Sequence, residues 1–253
     1  MSERIDLHGF PVITAEEMRR LVEAAVEEYG ISLEELTELV AARLASLTGE
    51  ILGLPDRSEP LRHILLVVGP EDCGVTGLVA ARHLANRGLV PHVALACPPA
   101  GLTDLGRSRL RTLEKMGLSI RRIDPAAGVT DLTVEGHPSL LIDALAGYCE
   151  AGPIDEPTGE IIHWMNGAGA PILSLEVPSG VDATTGERAP RCIKAHTTMT
   201  LALPKQGLLT PAARKMVGRL ILTDMGLPHR LYQDFGLEVT GKFPPGGRLS
   251  LLA

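Results

Sequence analysis

Two carboxylates stand where apolar runs of the sequence end. Asp143 closes the run SLLID, and Glu176 ends the apolar part of PILSLEV, shortly before Ser179. A carboxylate at the end of a buried strand loses its hydration, so we expect each to meet a cation or backbone donors. Because parallel strands bring their carboxyl ends to one crevice, the two acids together predict a polar site there. For Asp143 alone, capping of a following helix is an alternative interpretation.

The segment HILLVVGPEDCGVTGLVAARHL, residues 63–84, joins an apolar run, a glycine-containing loop and an amphipathic helix. The run at 64–68 shows no alternation, which is typical of a parallel strand covered on both faces. Gly69, Gly74 and Gly77 would let the backbone turn sharply and approach a ligand above that strand. The loop does not match G-x-G-x-x-G, so a nucleotide or phosphate loop and an ordinary βα turn both remain open.

Two further polar residues follow apolar runs near the end of the chain. Lys205 lies in PKQG after the run 197–203, and Asp224 lies in TDMGLP after the run 220–223. On the same reasoning both belong at the carboxyl edge of the sheet. A lone lysine on such a loop is more often a solvated charge, and this interpretation stays open.

The elements that must position these residues follow from periodicity. Capping-box patterns beginning at Thr14 and Ser32 predict two N-terminal helices, within residues 13–52. The later patterns predict an α/β core over 61–228, with helices at 76–87, 104–116 and 154–166 and strands at 64–68, 90–96, 119–123, 139–143, 171–177, 197–203 and 220–223.

This order predicts one doubly wound α/β domain, residues 1–253, with a mostly parallel sheet. We expect residues 1–12 to be a flexible lead-in, 53–60 a linker, and the Gly- and Pro-rich tail 236–253 to be loosely ordered.

Composition limits the function. The 253 residues are 45% hydrophobic, enough for one sizeable core, and the formal charge of -7 with only 3% aromatic residues argues against nucleic acid and anionic membranes as partners. The four cysteines are isolated, which favours a reducing, cytoplasmic compartment over a disulfide framework or a zinc site. No run resembles a signal peptide or a membrane span.

Taken together, the motifs resemble a known family. From about residue 13 to 228, the words GPEDCGVTGLVAARHL, LIDALAG, ILSLEVPSGVDATTG, PKQG and TDMGLP occur in the order of the YjeF N-terminal family. Its members are the NAD(P)H-hydrate epimerases, also called apolipoprotein A-I-binding proteins. The resemblance implies a Rossmann-like, three-layer αβα fold, commonly dimeric. It also implies epimerisation of hydrated NADH and NADPH, which are substrates rather than cofactors, for a separate dehydratase.

The resemblance also implies roles for individual residues. Lys205 and Asp224 fall at positions that the family uses for chemistry, which needs a proton donor and a proton acceptor near one carbon. Asp72, Asp143 and Ser179 match its potassium ligands, an oxygen set suited to a hard cation. Substrate contacts are implied for Asp72, Cys73, Gly74, Val75, Thr76, Gly147 and Glu176.

The glycine loop departs from the family pattern, which typically reads G-N-N-G-G-D-G. Asp72 stands at the potassium-binding Asn, Thr76 at the loop Asp, and Val75 at a glycine. We expect Val75 to add bulk and Asp72 to add negative charge where a pyrophosphate approaches, so activity on hydrated NADH should be weak or lost. Three functions remain open: an epimerase, a related enzyme with another nucleotide or phosphate ligand, and a non-catalytic dimeric binding or assembly module.

We predict that the chain forms a homodimer. Its two N-terminal helices carry more apolar surface than a small flanking hairpin needs, and domains of the resembling family pair. Sedimentation at micromolar concentration should therefore give twice the mass of one chain, and a monomer there would contradict the prediction.

Overall fold

A parallel sheet forms the centre of the computed structural model of this chain. The structure describes residues 6–54, 62–123, 137–148, 154–239 and 241–252. Its strands are β1 (Asp6–Leu7), β2 (Phe10–Pro11), β3 (His63–Val68), β4 (Val90–Leu95), β5 (Ser119–Arg122), β6 (Leu140–Ala144), β7 (Ile172–Leu175), β8 (Thr197–Leu201), β9 (Arg219–Thr223) and β10 (Arg248–Leu252). Its α-helices are α1 (Ala15–Glu27), α2 (Leu33–Ile51), α3 (Asp72–Asn86), α4 (Asp104–Lys115), α5 (Glu156–Gly167), α6 (Pro211–Val217) and α7 (His229–Asp234).

Eight of these strands pair in the order β10-β9-β8-β7-β6-β3-β4-β5. Every pairing is parallel except that of β10 with β9. The chain moves outward from β3 in one direction through β4 and β5, and in the other from β6 onward. The order therefore switches between β3 and β6, where open α/β sheets bind ligands.

Strand β3 shows why the sheet is covered on both faces. Ile64, Leu66 and Val68 belong to a core shared with α2 and α3, whereas Leu65 and Val67 belong to a second core shared with α5. Successive side chains of a strand point to opposite faces, so an uninterrupted apolar run needs a helix layer on each side. The predicted doubly wound, three-layer α/β fold is confirmed.

The two N-terminal helices begin as predicted. Thr14 and Glu17 form one reciprocal capping box, and Ser32 and Glu35 form the other. Most apolar residues of both helices are buried within the chain, although Leu33 is exposed, and α2 packs along α3. Most of the apolar surface that suggested a dimer interface is therefore used inside one chain, and the homodimer stays a prediction supported by the resemblance.

Helix α3 begins four residues earlier than the pattern predicted, at Asp72 rather than at residue 76. Its two early glycines, Gly74 and Gly77, suggested a loop but lie inside the helix, where neighbouring atoms come too close for a side chain. A Cβ on Gly74 would lie 2.0 Å from the carbonyl oxygen of Gly69, and one on Gly77 would lie 2.9 Å from the Cβ of Ala144. Packing therefore outweighs the low helix propensity of glycine.

Both ends of the described chain are ordered, contrary to expectation. The lead-in forms the β1-β2 hairpin, and the tail forms β10. The two segments contact each other: the rings of Phe10 and Phe243 lie 5.0 Å apart, and His8 Nε2 lies 2.9 Å from the carbonyl oxygen of Leu251. Residues 1–5 and most of the predicted 53–60 linker lie outside the described residues. Within the part of the chain that is described, no helix has the length and apolar character needed to cross a membrane.

We predict that Gly69→Ala is strongly destabilising. A Cβ there would lie 1.8 Å from the carbonyl oxygen of Leu145, so β3 and the segment after β6 would have to separate. We expect the free energy of unfolding to fall by about 3 kcal/mol in urea denaturation. Gly167→Ala is the matched control, because no atom lies within 4 Å of its Cβ position, and it should not destabilise the protein. Equal stability of the two variants would contradict this packing.

Candidate functional site

A cavity of about 180 Å³ lies at the carboxyl edge of the sheet. Helices α1 and α2 provide an apolar wall that includes Met18, Leu36 and Val40. The ends of β7 and β8 and the start of α3 provide further lining, including Asp72 and Glu176, and Gly147, Tyr148 and Met225 complete it. The N-terminal helices thus close one side of the crevice that the strand order predicted.

Strands β7 and β8 end in the same unusual turn. Glu176 and Ala202 have positive φ angles of 70° and 58°, which non-glycine residues rarely adopt. In both turns a backbone N–H bonds two residues back, from Val177 to the carbonyl oxygen of Leu175 and from Leu203 to that of Leu201. Two neighbouring strands therefore carry strained γ-turns at the site, and such strain persists only where the surroundings hold it.

Lys205 and Glu176 form a buried ion pair beside the cavity. Nζ of Lys205 lies 3.0 Å from Oε1 of Glu176, and the exposed fractions of the two side chains are 0% and 7%. The same ammonium donates to the carbonyl oxygen of Leu201 at 2.6 Å and lies 5.8 Å from the centroid of the Tyr148 ring. The interpretation of Lys205 as a solvated surface charge is therefore wrong.

The backbone of Lys205 is fixed by the N-terminal segment. The N–H of Ile13 donates to the carbonyl oxygen of Pro204, and the N–H of Gln206 donates back to the carbonyl oxygen of Ile13. Ile13 itself is buried just before α1. The segment that leads into α1, one wall of the cavity, therefore also holds residues 204–206 in place; these residues are called the lysine loop below.

Glu176 has an altered proton affinity. Burial raises the pKa of its carboxyl group, the nearby Lys205 ammonium opposes this rise, and the negative charge of Asp72 adds to it. A carboxyl group that lines a cavity and keeps its proton to higher pH than usual is suited to donate that proton to a ligand.

Asp143 anchors a second buried network. Its carboxylate accepts hydrogen bonds from the Ser174 hydroxyl at 2.7 Å, from the Ser179 hydroxyl at 2.6 Å and from the Ser179 N–H at 3.0 Å. The Ser179 oxygen in turn accepts from the N–H of Ala146 at 3.1 Å. The interpretation that Asp143 meets backbone donors is confirmed. The network ties β6 and β7 to the turn that begins with Pro178, Ser179 and Gly180, called the PSG turn below.

This network does not form an open cation site. The carboxylate oxygens of Asp143 are engaged with serine hydroxyls and a backbone N–H, and Ser179 uses its oxygen as both donor and acceptor. Asp72, the third predicted ligand, lines the cavity, whereas Asp143 and Ser179 do not. The described residues also hold no group of three or more His, Cys, Asp and Glu that could bind a metal. As they stand, these residues do not fit a preformed potassium site, so potassium binding stays a prediction.

Asp224 is held by a different partner from Lys205. Its carboxylate pairs with Nη2 of Arg43 at 3.1 Å and accepts from the N–H of Gly226 at 2.9 Å. It does not line the cavity, although Met225 beside it does. The carboxylate that accompanies Lys205 at the cavity is that of Glu176. Asp224 instead fixes the turn at residues 224–226, called the β9 turn below, against Arg43 of α2.

The predicted substrate-binding residues divide into two groups. Asp72, Cys73, Thr76, Gly147 and Glu176 line the cavity. Gly74 and Val75 do not, because both turn toward packed protein.

Val75 is completely buried, and its Cγ2 lies 3.4 Å from the position that a Cβ would take on Gly106 of α4. The expectation that Val75 obstructs a ligand is wrong, since helical geometry points its side chain away from the cavity.

Sequence reasoning missed three residues of the site: Ser174, Tyr148 and Arg43. Ser174 carried a signal, because it is the polar residue inside the apolar run PILSLEV. Tyr148 and Arg43 carried none, since their partners Lys205 and Asp224 lie far away along the chain.

We predict that Asp143→Asn weakens the pH dependence of stability. Burial raises the pKa of Asp143 despite hydrogen bonds from Ser179 and Ser174. Folding thus favours the protonated acid, so the stabilisation is complete below the unfolded pKa of about 3.9 and is lost as pH rises through the folded pKa. Urea unfolding of the variant should show a smaller loss between about pH 4 and pH 7.

Asp182→Asn is the control of opposite sign. Although burial opposes it, backbone hydrogen bonds from Thr185 and Thr184 lower the pKa of Asp182. Ionised Asp182 therefore stabilises the fold above its unfolded pKa. Replacing it with Asn should lower the free energy of unfolding, and the loss should become larger as pH rises. Parallel pH profiles for the two variants would contradict the assignment for Asp143.

Comparison with known proteins agrees with this architecture. The model of the family described as YjeF-related protein N-terminus matches residues 33–207. A crystal structure of the yeast protein ynu0 superposes with a TM-score of 0.81 at 22% sequence identity, covering 95% of this chain and 99% of that one. This likeness shows the fold.

The relatives with the most informative names are enzymes that act on NAD(P)H hydrates. An NAD(P)H-hydrate epimerase of Dehalogenimonas lykanthroporepellens is 36% identical over 226 residues, covering 89% of this chain and 86% of that protein. One of Weissella koreensis is 30% identical, covering 87% and 95%. A bifunctional NAD(P)H-hydrate repair enzyme of Thermofilum pendens is 30% identical, but the chain spans only 43% of its length. With a family match across most of its core and relatives at this identity, the chain belongs to the YjeF-related N-terminal family.

Proposed function

We propose that this protein is an NAD(P)H-hydrate epimerase-like enzyme that binds a nicotinamide dinucleotide derivative at the carboxyl edge of its sheet. The observation that carries the proposal is the buried Lys205–Glu176 pair, whose carboxylate lines a cavity with apolar walls. The relatives named as epimerases supply the substrate class.

Epimerisation of a hydrated nicotinamide requires a proton donor and a proton acceptor near one ring carbon. In a hydrated nicotinamide this carbon carries the hydroxyl and is bonded to the ring nitrogen. Protonation of the hydroxyl lets the carbon–oxygen bond break, water leaves, and the nitrogen lone pair forms a carbon–nitrogen double bond that makes the ring cationic. Water then adds to the opposite face and gives up a proton, which inverts the carbon and restores every atom.

Glu176 is placed to perform both proton transfers. Its carboxyl group faces the cavity, and its raised pKa makes protonation of the carboxylate, which must precede the first donation, easier than for an exposed glutamate. Once it has donated, the carboxylate is stabilised by the ammonium of Lys205 at 3.0 Å. If the planar cationic ring turns over before water adds, its opposite face meets Glu176, and the same carboxylate can accept the proton of the returning water. Lys205 holds this carboxylate in position, and Asp224 acts farther away by fixing the β9 turn.

The remaining expectations belong to the same proposal. The dinucleotide would be repaired together with a separate dehydratase, the chain would act as a homodimer, and the isolated cysteines favour the cytoplasm. Potassium at Asp72, Asp143 and Ser179 is retained as the family expectation, and no step above uses it.

We predict that turnover depends on the Lys205–Glu176 pair. The pure protein would be mixed with the two epimers of hydrated NADH and a dehydratase specific for one, and loss of the other followed. Glu176→Gln should lower the rate by roughly 10²- to 10⁴-fold, because it removes the proton donor. Lys194→Met replaces an exposed lysine and should leave the rate unchanged.

The pH profile separates catalysis from mere packing. If protonated Glu176 donates first, kcat should fall as pH rises through its raised pKa. Lys205→Met should move that fall to higher pH, since the opposing ammonium is lost.

We expect the unaltered protein to bind the dinucleotide more weakly than a relative with the usual loop, and Asp72→Asn to lower the KM, because Asp72 adds negative charge where the pyrophosphate approaches. An unaltered rate in Glu176→Gln, or no turnover in any variant, would contradict the proposal; the latter would favour a non-catalytic binding module.

A further inference from the structure

The cavity of the proposed active site is acidic. Among the described residues that line it are Glu71, Asp72 and Glu176, and none of those residues is Arg, Lys or His. Lys205 pairs with Glu176 and so offsets one of these three charges. Glu71 and Asp72 give the cavity an excess of negative charge.

These two carboxylates are available to a ligand. Both residues are exposed, and neither side chain forms a hydrogen bond or an ion pair within the part of the chain that the structure describes. The charge of Asp72 is nevertheless felt inside the cavity, because it contributes to the raised pKa of Glu176. Charge at this position therefore acts on whatever occupies the cavity.

The start of α3 is unsuited to an anion. A helix N-terminus usually attracts phosphate through free N–H groups and the positive end of its dipole. Here Glu71 is the N-cap and Asp72 the first helical residue, so two carboxylates already stand at that end, and Pro70 has no N–H to offer. The position that would favour a phosphate instead favours a cation.

The size of the cavity limits the ligand to one ring. Its volume of about 180 Å³ is close to that of the apolar cavity of about 150 Å³ that takes up benzene in another protein. Its walls are largely apolar, with Met18, Leu36, Val40 and Leu175 among them. A flat six-membered ring therefore fits, and the rest of a dinucleotide must lie outside.

We propose that this cavity selects ring-sized organic cations over neutral and anionic rings of the same shape, and that Glu71 and Asp72 set this preference. The inference rests on the proposed function only for the choice of ring. It deepens that function, because the ring becomes cationic when its hydroxyl leaves, and carboxylates at the cavity stabilise such a charge.

Three ligands with one ring and different charges test the preference: 1-methylnicotinamide (cationic), nicotinamide (neutral) and nicotinate (anionic). We expect calorimetric titration of the full chain at low salt to give a Kd at least about tenfold lower for the cation than for the neutral ring, with nicotinate weakest. The Kd of the cation should rise with salt, whereas that of nicotinamide should change little.

Charge-neutral variants locate the preference. Glu71→Gln combined with Asp72→Asn should reduce the cation's advantage to about threefold or less. Glu114→Gln, an exposed carboxylate of α4 outside the cavity, should leave it unchanged. The salt series on the unaltered protein tests the charge effect even if the double variant does not fold.

Equal affinities for the three rings, tighter binding of nicotinate, or no binding of any ring would overturn the inference. The epimer assay fails independently of it. Cation preference without turnover would remove the proposed activity and leave the inference standing, whereas turnover with no charge preference would do the reverse.

Discussion

The buried ion pair of Lys205 and Glu176 is the constraint on which the site depends. Removing an ammonium and a carboxylate from water costs several kcal/mol per ion, and only close pairing with further hydrogen bonds offsets that cost. The protein meets this demand with two γ-turns at neighbouring strand ends and with Ile13, which holds the lysine loop. Replacing one partner alone would leave a buried charge, typically at a cost of about 3 to 5 kcal/mol.

Close backbone packing fixes the neighbouring part of the site, around β3, α3 and the segment after β6. Gly69 lies against the backbone of Leu145, and Gly74 lies against the backbone of Gly69, so closely that neither position has room for a Cβ. The start of α3 is therefore held against the segment that follows β6. Asp143 joins that segment to the PSG turn through Ser174 and Ser179. The carboxyl edge of the sheet is therefore rigid on the side of β6 and β7, and the N-terminal helices close the cavity over it.

Charge distinguishes this site from one built around a phosphate. Asp72 and Glu71 stand where a helix start would otherwise attract an anion, while the bulk expected from Val75 is directed into the core. Of these two changes in the loop, the added charge of Asp72 lies at the cavity, whereas the added bulk of Val75 does not. The same negative charge therefore accounts for the weak dinucleotide binding expected and for the preference proposed for a cationic ring.

The amino-acid pattern by itself determined the layers, the parallel strands and both capping boxes, because these depend on local periodicity and on side chains three residues apart. It also placed Asp143, Glu176 and Lys205 at one edge, since parallel strands end together. Only the tertiary structure decided that Lys205 pairs with Glu176 while Asp224 pairs with Arg43, because such pairings depend on which strand ends become neighbours. For the same reason the tail could be identified as an ordered strand only beside β9, since an edge strand gains its order from a partner distant in sequence.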